Sequence, residues 1–317
     1  MTYLLMALGV PLLVFGANYL VDGASSLARR LGVSEIVVGL TIIAFGTSSP
    51  ELATAIYSSL RDTQTIALGN ILGANVLNTL VILGATAVIS PLIIRTNTLR
   101  REIPYSLLAT AVCGILANDH IISGSQDSYL DRADGLILLV FFAFFLIYVI
   151  TIARRSRSTP EPGKMLGLPK SLALIAGGLA GLTMGAKWLV DGAVQIAETM
   201  GVSQMTIGLT IVAIGTTLPE LATAVVAVRK KAPDIAVGNV IGSNIFNILL
   251  ILGVAAIIRP IPLEPQANFA IIVALLSSAL LLVFMLIGKR RCILERYQGA
   301  LFIALYIGYV SYLVIAA

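Results

Sequence analysis

Apolar residues in this chain do not alternate with polar ones; they come in long blocks separated by short charged clusters. Runs near residues 3–21, 36–60, 66–93, 103–117, 133–152, 171–190, 204–228, 235–258, 267–287 and 299–316 are each about one bilayer crossing long, which takes roughly 20 residues. In hydrocarbon every backbone polar group must be satisfied within the segment, so blocks of this length predict helices. The pattern therefore predicts an all-α membrane protein of ten transmembrane helices. Composition agrees: 58% of the 317 residues are hydrophobic and 12% charged, and the mean hydropathy is +0.97, far from the soluble range. The first run carries no basic residue over Met1 to Gly9 and no clear small-residue cleavage site follows, so it is expected to be retained. Cys113 falls inside an expected span and Cys292 in a basic connection, too far apart to predict a disulfide.

The net charge of +5 is distributed with a period of two connections. Connections after spans one, three, five, seven and nine hold Arg29, Arg30, Arg95, Arg100, Arg101, Arg154, Arg155, Arg157, Lys164, Lys170, Arg229, Lys230, Lys231, Lys289, Arg290, Arg291 and Arg296, which is 17 of the 21 basic residues. The opposite connections hold Arg61, Arg132 and Arg259 and collect Asp62, Asp119, Asp127, Asp131, Asp134, Glu198 and Glu264. By the positive-inside rule both termini are extracytoplasmic. An incorrect span count would scramble this alternation, and a cationic surface spent on membrane orientation gives no reason to expect a nucleic-acid partner.

Residues 17–91 match residues 186–260 without a gap, with about 37 of 75 positions identical. The cores read GLTIIAFGTSSPELATA (39–55) against GLTIVAIGTTLPELATA (208–224), then ALGNILGANVLNTLVILG (67–84) against AVGNVIGSNIFNILLILG (236–253). With five expected spans per copy, the second copy enters the membrane from the other side. The organisation is thus a first five-helix repeat (1–153), a basic cytoplasmic linker (154–170) and an inverted second repeat (171–317), an architecture common among secondary transporters, which bind substrate near the midplane.

Glu51 and Glu220 stand in mid-span at equivalent places, where a carboxylate costs at least about 2.5 kcal/mol on insertion scales and faces a cavity or a partner. No intramembrane Lys or Arg stands at a matching position to pair with them. Each follows a proline, Pro50 or Pro219, which gives no N–H to the carbonyl of Gly46 or Gly215 and is expected to push Ser49 or Leu218 out of helical geometry. A break is predicted around residues 44–49 and 213–218, with freed carbonyls beside the hydroxyls of Thr47, Ser48, Thr216 and Thr217. The next helix of each repeat carries a stripe at spacing four, Asn70, Ala74 and Asn78 against Asn239, Ser243 and Asn247, which lies on one face. Such Asn and Ser residues can also serve simply to bond packed helices together. Carboxylate, carbonyl and hydroxyl oxygens suit a hard cation, and two carboxylates neutralise one Ca2+. The only histidine, His120, sits in an expected outer loop. Lys187 and Asp191, four apart, are expected to pair, and Asp22 is expected to reach the cytoplasmic interface.

The two hexapeptides GTSSPE and GTTLPE, each followed about 20 residues later by GNILGANVLN or GNVIGSNIFN, resemble the alpha-repeats of the cation/calcium antiporter superfamily, in its prokaryotic sodium/calcium exchanger branch. The resemblance covers essentially the whole chain. It implies exchange of Na+ for Ca2+, typically three to one, in a prokaryotic inner membrane, with spans one and six sliding during alternation. It implies that Glu51, Glu220, Thr47 and Thr216 hold calcium, and that the Ala44 and Ala213 carbonyls, Ser48, Thr217 and Ser243 hold sodium, with Asn78 and Asn247 completing the centre. The ions are substrates; no cofactor, enzymatic activity or obligate protein partner is implied beyond the ions and the lipid bilayer. Family members often have serine where this chain has Ala74, and some carry an acid at the position of Asn247, which makes potassium coupling less expected here. The regulatory domains of eukaryotic relatives have no room in the linker. A proton/calcium antiporter is the nearest alternative, but its usual GNxxE-type acid is missing at both GN positions; a channel using the same oxygens is the next. An intramembrane enzyme lacks its parts, since the spans hold no Ser/His/Asp set and no HExxH.

Overall fold

The computed structural model describes residues 2–61, 64–118, 128–155, 165–199, 213–263, 265–287 and 291–316. His120, Asp62, Asp119, Asp127 and Glu264, most of the linker, and residues 204–212 at the head of the seventh expected span lie outside the described residues. In chain order the helices are α1 (Thr2–Leu31), α2 (Glu35–Val38), α3 (Ala44–Thr47), α4 (Ser49–Leu60), α5 (Gln64–Leu77), α6 (Leu83–Ile89), α7 (Ile103–Ala117), α8 (Arg132–Arg155) and α9 (Leu168–Thr199). They continue with α10 (Ala213–Thr216), α11 (Leu218–Arg229), α12 (Pro233–Ile245), α13 (Gly253–Ile258), α14 (Pro265–Ile287) and α15 (Arg296–Ala316). Wide π turns at Gly39–Ile43, Asn78–Ile82, Thr98–Glu102 and Phe246–Leu252 join α2 to α3, α5 to α6, lead into α7, and join α12 to α13. Among the described residues six helical stretches are long and apolar enough to cross a membrane, and a seventh is the bent pair Glu35–Thr47 and Ser49–Leu60.

The chain forms two compact units. The first comprises Met1–Pro50 and Val149–Val240. Its frame is α1 against α9, which run antiparallel with Gly9 meeting Gly185, Gly16 meeting Gly178 and Gly23 meeting Ser171. A Cβ on Gly16 would lie 2.9 Å from the Gly178 carbonyl oxygen, and one on Gly178 would lie 2.8 Å from that of Gly16. Both obstacles are backbone, so only the absence of side chains lets these helices approach so closely. Lys230, just past α11, donates to Asp22 at 2.7 Å and to the Asn18 carbonyl at 3.1 Å, so Asp22 ends in an ion pair with α11's terminus. The expected pair of Lys187 with Asp191 does not form; both are exposed on α9, where an ion pair holds two mobile side chains for little gain.

The second unit comprises Glu51–Tyr148 and Ile241–Ala317. Close crossings again use glycine: a Cβ on Gly84 would lie 2.9 Å from the Gly299 carbonyl oxygen, and one on Gly135 would lie 2.7 Å from that of Gly253. Phe142 and Phe145 each meet Phe246 edge-on. Asn118 and Asn268 exchange amide hydrogen bonds of 2.7 and 2.9 Å, tying α7 to α14. Two short antiparallel pairs close the ends, β1 (Leu92–Ile93) with β4 (Ile293–Leu294) and β2 (Tyr129–Leu130) with β3 (Ile261–Pro262).

Candidate cation-binding site

The helix break falls within the expected residues 44–49 and 213–218, but not at the residue that precedes each proline. Ser48 (φ −83°, ψ 5°) and Thr217 (φ −93°, ψ 2°) are the non-helical residues, whereas Ser49 and Leu218 already open the next helix. Pro50 and Pro219 therefore sit in a first helical turn, where their missing N–H has no intrahelical acceptor to lose. The helix axis turns by 44° between Thr47 and Ser49. The Ala44 carbonyl is not freed: it accepts the Ser48 N–H at 3.0 Å and the Thr47 hydroxyl at 3.3 Å.

In the first unit the break brings Thr47, Ser48, Glu220 and Asn239 into one polar cluster, all buried. The Ser48 hydroxyl donates to Glu220 Oε1 at 3.3 Å, and the Thr47 hydroxyl lies 3.1 Å from Asn239 Oδ1. Glu220 is 1% exposed, and its Oε2 has no hydrogen-bond partner among the described residues. Thr217 is buried and turns its hydroxyl back to the Ile214 carbonyl at 2.9 Å, while Thr216 is half-buried in α10. Ala213 opens α10, and its side chain lies outside the described residues. One turn beyond Glu220, the Thr223 hydroxyl is also buried with no partner.

In the second unit Glu51 is 1% exposed, in the first turn of α4. Asn78 and Asn247 stand at the start of the π turns that interrupt their helices, a feature that moves side chains off the regular helical phase. Their amide nitrogens are bound: Asn78 Nδ2 donates to Asn244 Oδ1 at 3.0 Å and Asn247 Nδ2 to Asn75 Oδ1 at 2.9 Å. Their oxygens are not, and the hydroxyl of Ser243 also has no partner. Ala74 and Ser243 are both buried, and Asn70 is only half-buried.

Within the repeated motifs, buried oxygens without a hydrogen-bond partner among the described residues thus include Glu220 Oε2 and Thr223 Oγ1 in the first unit and Asn78 Oδ1, Asn247 Oδ1 and Ser243 Oγ in the second. Buried polar atoms are nearly always satisfied, so each requires an explanation. In each unit a desolvated cation supplies one, since carboxylate, amide and hydroxyl oxygens are the ligands that hard cations take. No group of three or more His, Cys, Asp or Glu side chains converges among the described residues. The sequence reading omitted Asn75 and Asn244, although the identical asparagine in GANVLN and GSNIFN marks both.

Comparison with known proteins places this arrangement. A family model described as sodium/calcium exchanger protein matches residues 1–151 and 170–315. The inner membrane protein YrbG of Escherichia coli is 37% identical over 276 residues, covering 83% of this chain and 82% of that protein. The sodium/calcium exchanger MaX1 of Methanosarcina acetivorans is 31% identical over 342 residues, covering 97% of each. A solved structure of the sodium-calcium exchanger NCX_Mj, soaked with Na+ and Sr2+, superposes with a TM-score of 0.84 at 34% identity, covering 98% of this chain and 97% of that one. Matched over both halves by the family model and over nearly its whole length by these relatives, the chain belongs to the sodium/calcium exchanger family.

Proposed function

We propose that this protein is a secondary transporter that exchanges Na+ for Ca2+ by alternating access, carrying about three Na+ per Ca2+ and therefore moving one net charge per cycle. Its ten spans form two inverted five-helix repeats in a prokaryotic inner membrane, with both termini outside the cytoplasm. Supporting the inversion, Gly9 and Gly16 of α1 correspond to Gly178 and Gly185 of α9, and the pairs cross over, Gly9 with Gly185 and Gly16 with Gly178. That is the pattern a two-fold axis in the membrane plane produces.

The observation that carries the reading is the set of buried oxygens without donors in the two repeated motifs. Glu51 and Glu220 supply two negative charges to balance Ca2+, aided by Thr47 and Thr216. Sodium ions are held by lower-charge oxygens: Ser48, Thr217, Ser243, Asn78, Asn247, the Ala213 carbonyl, and the Ala44 carbonyl once sodium replaces the Thr47 hydroxyl that it accepts. Binding either ion set satisfies the carboxylates, whereas leaving a carboxylate bare in a desolvated site costs several kcal/mol; this penalty disfavours an empty crossing and couples the fluxes. The test is Ca2+ uptake into proteoliposomes under an outward Na+ gradient or a pH gradient. Uptake driven by sodium supports the proposal, while uptake driven by protons alone selects a proton antiporter.

A further inference from the structure

We infer that Asn75 and Asn244 are positioning residues that hold the side-chain oxygens of Asn78 and Asn247 toward the transported ions. The inference rests on the exchange reading above and assigns to the site two residues that do not themselves ligate. An asparagine amide has an oxygen that can hold a cation and a nitrogen that cannot. A free amide can turn over and present either end. In α5 and α12, with the π turns that follow them, four hydrogen bonds remove that freedom.

Asn247 Nδ2 donates to Asn75 Oδ1 at 2.9 Å, and Asn78 Nδ2 donates to Asn244 Oδ1 at 3.0 Å. Asn75 is itself fixed through its own nitrogen, which donates at 3.1 Å to the Asn244 backbone carbonyl, a group that can only accept, and Asn244 Nδ2 donates to the Thr79 hydroxyl at 3.0 Å. Every one of these amides therefore has its nitrogen engaged. Asn75 and Asn244 also have their oxygens engaged, whereas Asn78 and Asn247 leave theirs buried with no donor. Packing glue between helices would consume the oxygens too, because an unmatched buried acceptor costs about 1–3 kcal/mol. The asymmetry separates the four residues into two that hold and two that are held. The roles cross between repeats, with Asn75 of the first repeat holding Asn247 of the second and Asn244 of the second holding Asn78 of the first.

The crossing makes a specific test possible in the purified full chain, with ion binding read as the rise of the unfolding midpoint on titration with NaCl or CaCl2 and converted to a half-saturating concentration. Asn75→Leu, with the same heavy-atom branching but unable to hydrogen-bond, should raise the half-saturating Na+ concentration about fivefold, the equivalent of one lost hydrogen bond of about 1 kcal/mol. Ca2+ should shift less, because its main attraction is to the carboxylates. In an Asn247→Ala background the same substitution should add nothing, since the held oxygen is gone, while in an Asn78→Ala background its effect should persist. Asn244→Leu carries the mirror test through Asn78. A purely structural role would lower the ion-free midpoint and leave the half-saturating concentrations at parental values. That result, or an undiminished shift in the Asn247→Ala background, would overturn the inference and leave the exchange reading standing. Failure of both leucine variants to fold would also overturn it. A parent stabilised by neither ion would instead remove the exchange reading, and the inference with it.

Discussion

Ala74→Ser restores to the first repeat a hydroxyl that the second repeat has in Ser243. Ala74 is buried in α5 one turn before Asn78, and its counterpart Ser243 is buried with a hydroxyl that meets no donor or acceptor among the described residues. In the ion-free protein a new hydroxyl at 74 would face the same surroundings, so stability should fall by about 1–3 kcal/mol, the cost of an unmatched buried polar group. With sodium bound the hydroxyl is satisfied, and binding should tighten by about 1 kcal/mol, close to fivefold in affinity. Calcium, which the proposed site holds chiefly by two carboxylates, should gain less. The assay is the Na+ concentration giving half-maximal Ca2+ exchange in proteoliposomes, with the ion-free unfolding midpoint measured alongside. A lower sodium requirement together with a lower ion-free midpoint is expected. An unchanged sodium requirement in a folded, active variant would refute the reasoning, because position 74 would then face protein rather than ion.

Two other substitutions test separate parts of the account. Glu220→Gln and Glu51→Gln keep side-chain volume but remove one of the two charges proposed to balance Ca2+; each should weaken Ca2+ binding by more than about 3 kcal/mol and abolish exchange while the protein stays folded, and normal Ca2+ flux in either would contradict the ligand assignment. Gly16→Ala should destabilise by about 1–3 kcal/mol, because its Cβ would meet the Gly178 carbonyl oxygen at 2.9 Å; Gly69→Ala, with nothing within 4 Å, is the control, and equal unfolding midpoints for the two variants would refute the tight α1–α9 crossing.

Much of this molecule was legible in its sequence because the membrane simplifies the reading. Long apolar runs admit little but helices, and a mid-span carboxylate such as Glu220 demands a functional explanation. The paired Gly-Thr-x-x-Pro-Glu segments marked the break and the following Asn-rich helix. What escaped is local and depends on partners distant in sequence. The break falls inside the expected 44–49 and 213–218, but Ser49 and Leu218, expected to leave helical geometry, open the next helix because a proline is accepted in its first turn, and Ser48 and Thr217 are the non-helical residues. Freed carbonyls were expected at Ala44, yet the turn at Ser48 still returns its N–H there. A stripe at spacing four selects Asn70, Ala74 and Asn78 and passes over Asn75; only the pairing of α5 with α12 reveals that Asn75 and Asn244 grip the neighbouring amides. Lys187 and Asp191 satisfied a spacing rule that surface side chains on α9 are under no energetic pressure to obey.

The central claim, that the chain trades sodium for calcium with one net charge moved per cycle, is tested most directly by radioactive Ca2+ uptake into Na+-loaded proteoliposomes at clamped membrane potential. Uptake should require the outward Na+ gradient, should be faster when the vesicle interior is positive, because three Na+ leaving for one Ca2+ entering carries a positive charge outward, and should be lost in Glu220→Gln. Uptake that persists without sodium on the inside, or that Glu220→Gln leaves intact, would contradict the account.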